Sequence, residues 1–308
     1  MFATIAIVFA LLAGQQQPSP YPDQSIPPGA RSPAAEETSG GDDIMHHILD
    51  ERVIKAPWGY IQLPAEGSWM LGPLDLTPTK YVVFIWITAA LTVMLLLWAG
   101  QAAKRARAEG RGPRGGHNGV EAFVLFFRDQ VVMPNIGHGG ERYVPFVVTL
   151  FFFILLANLL GLVPYGASVT ANISVTAALA LMSLVVIEVA GMKAQGIGYL
   201  NTIFYWNKDL GIVMRVLMFL IMTPVEILGK LAKPFALAIR LMANMTAGKI
   251  VLYAVVGLVF VFGSWAVAVA PIAMAVALTF LKIFIAFLQA YVFALLTSVF
   301  IGLIRHAH

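Results

Sequence analysis

Two apolar stretches in the last third of the chain, about residues 210 to 262 and 264 to 304, constrain the fold more than any motif does. A backbone placed in hydrocarbon has to satisfy its own hydrogen bonds, so runs of this kind are helices. At about 1.5 Å per residue, each is longer than the ~30 Å core of a bilayer requires. They must therefore tilt strongly or lie partly along the membrane. Pro224 and Pro234 permit bends in the first of them, and the two are joined near Gly263. The rest of the chain agrees in character: of 308 residues, 59% are hydrophobic and only 12% charged, with a mean hydropathy of +0.81, which describes a polytopic membrane protein and not a soluble domain. Cysteine is absent, so disulfides and thiolate metal sites are excluded.

Residues 2 to 13, FATIAIVFALLA, have the length and character of a signal-peptide core, and residues 14 to 43, rich in Pro, Gln, Ser and Gly, read as a flexible tail. Residues 44 to 79 mix charge, tryptophan and turn residues and are expected to form a small extracytoplasmic segment on the membrane surface. Within it, His46, His47, Asp50 and Glu51 fit a solvated charged face better than a metal site, so no metal is assigned. The membrane domain then runs from 80 to 308. Its first span, 80 to 99, is followed by Lys104, Arg105, Arg107, Arg111 and Arg114 against the single acid Glu109. The positive-inside rule places that run in the cytoplasm and the N-terminus outside. These basic residues abut a span and lack interleaved aromatics, which excludes a nucleic-acid partner.

Residues 119 to 136 set Glu121, Arg128 and Asp129 opposite Phe123, Phe126, Phe127 and Val131, the pattern of an interfacial amphipathic helix. Residues 143 to 163 cross outward and carry Asn158, residues 164 to 171 form an outer turn, and residues 172 to 191 return inward with Glu188 near the cytoplasmic end. The expected architecture is an all-α polytopic membrane protein. It has about five membrane-embedded helices and one interfacial helix, the last two spans being long and strongly tilted, and a cytoplasmic C-terminus.

Polar residues in the last third are few and ordered. Running outward, the first long stretch carries Glu226 and Lys230, then Arg240 and Asn244, then Lys249. The second runs inward through Lys282, Ala286, Gln289 and Ala290, which share one helical face. An arginine at the centre of a bilayer helix costs roughly 2.5 to 3.5 kcal/mol even on the lenient insertion scale, so it faces protein or a wet cavity. Ala236, Ala243, Ala247 and Gly248 lie within the arc of Arg240 and Asn244, and small side chains there let another helix approach. The bland reading is an arginine that snorkels or pairs with a buried carboxylate. Glu226 has two readings as well, a group on a proton route or an ion pair with Lys230 at i+4. Asn158 reads first as a helix-packing hydrogen bond.

The stretches KPFALAIRLMANMTAGK and FLQAYVFALLTSVFIG, with FFRDQVVMPNIG and FFFILLANLLGLVP before them, resemble the a subunits of the F-type rotary ATP synthases over roughly residues 118 to 304. The resemblance implies a stator that forms two proton half-channels beside a ring of c subunits, each carrying a lipid-buried carboxyl group. Arg240 matches the family's essential arginine, which favours the carboxylate form of each passing ring carboxyl. Asn244 and Gln289 match polar neighbours at the ring-facing site, on helices spanning about 210 to 304. Glu226 matches an acid on the cytoplasmic route and Asn158 an asparagine near the outer one.

At Lys249 and Lys282 many members carry an acid or a histidine that helps protons in. Two lysines so placed either relay protons or only line the mouth with snorkelling stems. The implied partners are the c-subunit ring, peripheral-stalk b subunits, other ATP synthase subunits, the lipid bilayer and the translocated proton. The implied site is a bacterial inner membrane, with no cofactor and no catalytic site in this chain. A secondary ion-coupled transporter would also place charges at mid-membrane, but the inverted repeats common in that class are not seen. A non-catalytic assembly scaffold would explain the apolar bulk but not small residues flanking an arginine.

Overall fold

Helix dominates wherever the apolar runs demanded it. The structure, a computed structural model, describes residues 53–56, 59–64, 70–71, 74–75, 78–108, 116–163, 166–199, 212–262 and 265–306. The signal-like segment and tail, His46, His47, Asp50, Glu51, and Arg111 and Arg114 of the basic run lie outside the described residues. The surface segment expected at 44 to 79 contains two short antiparallel hairpins. Strand β1 (Val53–Ala56) pairs with β2 (Gly59–Gln62) in the register Val53 to Gln62, and β3 (Met70–Leu71) pairs with β4 (Leu74–Asp75). Sequence reasoning missed these strands, although Val53, Ile54, Tyr60 and Ile61 have the side chains that favour a pleated backbone.

Helix α1 (Lys80–Ala108) carries the first span and continues into the basic run. Helix α2 (Gly116–Phe126) passes through a π-helical turn, Phe127–Val132, into Met133–Ile136. Helices α3 (Val144–Leu160) and α4 (Ile173–Gln195) follow in sequence order. The last two are long: α5 (Ile212–Phe262) has 51 residues and α6 (Trp265–His306) has 42. Four helices, α1, α4, α5 and α6, are long and apolar enough to cross a membrane, and α3 is a shorter apolar helix. Among the described residues that makes five apolar helices beside the amphipathic α2, which fits the expected architecture. At ~1.5 Å per residue α5 measures about 77 Å, so a ~30 Å hydrocarbon core cannot hold it upright. It remains helical through Pro224 and Pro234.

Several hydroxyl groups in these helices meet the same demand as the backbone, though that of Thr223 on the helix Ile212–Phe262 is buried without a partner. Thr88 donates to the Phe84 carbonyl at 2.7 Å, Thr279 to Ala275 at 2.8 Å, Thr297 to Phe293 at 2.8 Å and Ser183 to Leu179 at 3.0 Å. Each is an i−4 bond that leaves no polar hydrogen facing hydrocarbon.

The chain divides into two compact units. Of the described residues, the first comprises those within 53–88, 157–175 and 243–285, the second those within 89–156, 176–242 and 286–306. In the first unit the turn after α3 is packed, with Ser168, Val169 and Thr170 buried. A Cβ on Gly161 would meet the Ser168 hydroxyl at 2.6 Å, so only glycine lets the turn fold back so closely.

The core of the second unit is aromatic. Phe123, Phe127, Phe151 and Phe287 form a cluster with ring centroids 4.7 to 6.1 Å apart, and Tyr291 stands edge-on to Phe127 at 5.8 Å. Such pairs contribute about 0.5 to 1.5 kcal/mol each beyond the area they bury. Phe127, Val131, Val132 and Ile136 are fully buried, but Phe126 is 47% exposed. On the polar side Arg128 pairs with Glu141 at 3.0 Å. At the end of α6, Arg305 donates to the His138 carbonyl at 2.8 Å, and Gln195 of α4 donates to the Ile304 carbonyl at 2.9 Å.

Candidate functional site

On α5, Leu237, Leu241 and Met245 make a buried stripe at i, i+4 and i+8. That leaves the opposite side of the helix open. Ala236, Arg240, Ala243, Asn244 and Ala247 are all exposed there. Among the described residues Arg240 makes no hydrogen bond or ion pair with another side chain. The small side chains on either side keep the guanidinium accessible. Within the second unit, Gln289 of α6 is only 2% exposed, between fully buried Ala286 and Ala290. The face shared by Ala286, Gln289 and Ala290 is thus turned into the protein, whereas Arg240 is turned out.

The first unit holds Asn158, Lys249 and Lys282. Asn158 is fully buried and accepts a hydrogen bond from the Thr170 hydroxyl at 2.6 Å, joining the end of α3 to the turn that follows. This matches its expected packing role. Lys282 is 9% exposed, and its stem lies against Gly248: a Cβ on that glycine would meet Lys282 Cε at 2.7 Å. Lys249, the next residue, is half-buried, so the two lysines expected to be neighbours are held close. In the helices of that unit, Lys80 is the remaining cation and no Asp or Glu is present.

Glu226 is exposed on α5. Its expected i+4 partner, Lys230, is engaged elsewhere. Lys230 Nζ donates to the Tyr199 hydroxyl at 2.7 Å and lies 3.5 Å from Glu188 Oε1, while the Tyr199 hydroxyl itself donates to Glu188 Oε2 in a short hydrogen bond. All four residues belong to the second unit. Tyr199 is 1% exposed, and its ring packs on Gly191, where a Cβ would approach it to 2.7 Å. Burial, then the hydrogen bond and charge of Glu188, then the charge of Glu226, push the Tyr199 phenol well above its ordinary range, so it stays a donor. This network was not foreseen. The one signal in the sequence was Glu188, a lone acid in an apolar helix that had to find a partner.

A family model described as ATP synthase A chain matches residues 82–302, nearly the whole helical part of the chain. The chain is 43% identical over 276 residues to ATP synthase subunit a 2 of Chlorobaculum tepidum, covering 88% of this chain and 74% of that one. It is 42% identical over 262 residues to ATP synthase subunit a of Chloroherpeton thalassium, covering 85% and 76%. It is 40% identical over 286 residues to ATP synthase subunit a of Anaeromyxobacter dehalogenans, covering 88% and 72%. With its membrane-spanning helices and its match over most of their length, the chain belongs to the ATP synthase A chain family of multi-pass bacterial membrane proteins.

Proposed function

We propose that this chain is the stator of the synthase's membrane motor, and that Arg240 drives deprotonation of carboxyl groups carried past it by a ring of c subunits. The observation that carries the reading is the exposed guanidinium on a stripe of alanines in an otherwise apolar helix. A charge cannot stay on a lipid-facing surface at a cost of roughly 2.5 to 3.5 kcal/mol, so that face needs a covering partner that presents an acid. A carboxyl group facing lipid holds its proton because the ionised form is poorly solvated. Beside Arg240 the carboxylate becomes the favoured form and the proton leaves. Arginine is not deprotonated in proteins, so it attracts the carboxylate without passing a proton straight through.

Protons reach and leave this point by two offset routes. Glu226 serves the cytoplasmic one, and Lys249 and Lys282 line the outer one, with Asn158 shaping its wall. Asn244 lies one turn beyond Arg240 on α5 and shares the ring-facing surface. Gln289, buried on α6, supports that surface from within. The offset forces each proton to ride the ring, which couples a driving term of about 2.3 kcal/mol per charge per 100 mV to rotation. In this reading the N-terminus is extracytoplasmic and the C-terminus cytoplasmic, the b subunits of the peripheral stalk hold the chain still, and ATP chemistry lies in other subunits.

The test is ATP-driven acidification of vesicles containing the assembled synthase. Arg240→Ala should reduce coupled pumping to background while the complex still assembles, because the alanine groove does not depend on the arginine for packing. Arg240→Lys should fail as well, since an ammonium presents one point charge and can lose its proton. Normal pumping in either variant would remove Arg240 from the mechanism.

A further inference from the structure

Lys230 faces a choice of acids. On an exposed helix surface its natural partner is Glu226, four residues earlier, in the orientation that favours such pairs. The structure shows another outcome: Lys230 is only 14% exposed, 3.5 Å from Glu188 and hydrogen-bonded at 2.7 Å to Tyr199, while Glu226 stands free of it. A phenol and a carboxylate in a partly dry site hold an ammonium more firmly than one solvated acid can.

We infer that Glu188 and Tyr199 are positioning residues for the cytoplasmic proton route: by drawing Lys230 into a buried network they keep it off Glu226, whose carboxylate is thereby left open to exchange protons. The inference rests on the reading of Glu226 proposed above. It also explains why a tyrosine with a raised, un-ionised phenol is locked over Gly191, since it must donate to Glu188 and accept from Lys230 together.

Among the described residues of the second unit, the other charged groups do not replace this device. On α5, Lys233 lies over the Phe300 ring at 4.9 Å, and Arg215 sits about three turns before Glu226. On α4, Lys193 is exposed near the helix end. On α6, Arg305 is held by the His138 carbonyl. Lys230 alone is at helix-pair spacing from Glu226 on its C-terminal side.

The experiment uses the assembled synthase in native membranes and in vesicles. Zero-length carbodiimide cross-linking with mass spectrometry reads the partner of Lys230 directly and does not depend on proton conduction. Wild type should give the Lys230–Glu188 cross-link, and Glu188→Gln/Tyr199→Phe should give Lys230–Glu226 in its place. In parallel, passive proton conduction is measured against cytoplasmic-side pH. The double variant should conduct more slowly near neutrality and its profile should move to lower pH by about one unit, the size of effect an opposite charge at contact produces. Adding Lys230→Met to the double variant should restore the wild-type profile. A Lys230–Glu226 cross-link of equal yield in wild type, or a triple variant as impaired as the double, would overturn the inference. If wild-type vesicles conduct no protons, the stator reading fails, and the cross-links still decide whether the network diverts Lys230.

Discussion

Gly302 of α6 lies so close to Asn135 that a Cβ at position 302 would stand 1.8 Å from the Asn135 carbonyl oxygen and 2.8 Å from its carbonyl carbon. Both contacts are to backbone, which cannot rotate away as a side chain can. This fixes α6 against the segment Met133–Ile136 that completes α2, in the same unit as the phenylalanine cluster.

Gly302→Ala should therefore destabilise the second unit by more than the usual overpacking cost of about 1 to 3 kcal/mol. Gly100→Ala is the matched control, because a Cβ there meets nothing within 4 Å. It should be neutral, or stabilising by up to roughly 1 kcal/mol through helix propensity. Thermal melting of the purified protein in detergent separates them. Equal melting temperatures would show that α6 does not approach Asn135 so closely.

The lysine pair gives a second expectation. Lys282 packs on Gly248 with Lys249 adjacent, in a unit whose helices carry no Asp or Glu. If a lysine passes protons along the outer route, Lys249→Met or Lys282→Met should cut ATP-driven pumping several-fold. Lys282→His should recover part of it on the acid side of neutrality, where an imidazole of ordinary pKa about 6.5 carries a proton. Unchanged pumping in both Met variants across the pH range would assign the outer route to water near Asn158.

Tyr199 predicts an alkaline limit of stability. Below the ordinary phenol value of 10.0 both folded and unfolded chains keep the proton, so the group contributes no pH dependence. Above it the unfolded chain releases the proton while the buried phenol, its pKa raised first by burial and then by Glu188, retains it. Stability must then fall as pH rises. Melting temperature plotted against pH should drop more steeply above pH 10 for wild type than for Tyr199→Phe, which has no proton to lose. Parallel curves would mean that the phenol ionises without cost and is not held as described.

What the sequence determined by itself follows from a local rule. A bilayer requires each spanning segment to satisfy its own backbone, so the apolar runs specify helices before any neighbour is considered. The same rule makes one arginine in such a run conspicuous, and the alanines a turn to either side of Arg240 could be read as an open face without knowing what packs on the other. Tertiary structure decided what depends on distance along the chain. The partner of Lys230 is thirty-one residues away at Tyr199, and that of Asn158 twelve residues away at Thr170, so no helical spacing could name either. Polar groups in an apolar setting select whichever partner removes them best from hydrocarbon, and that selection is made only when the helices have come together.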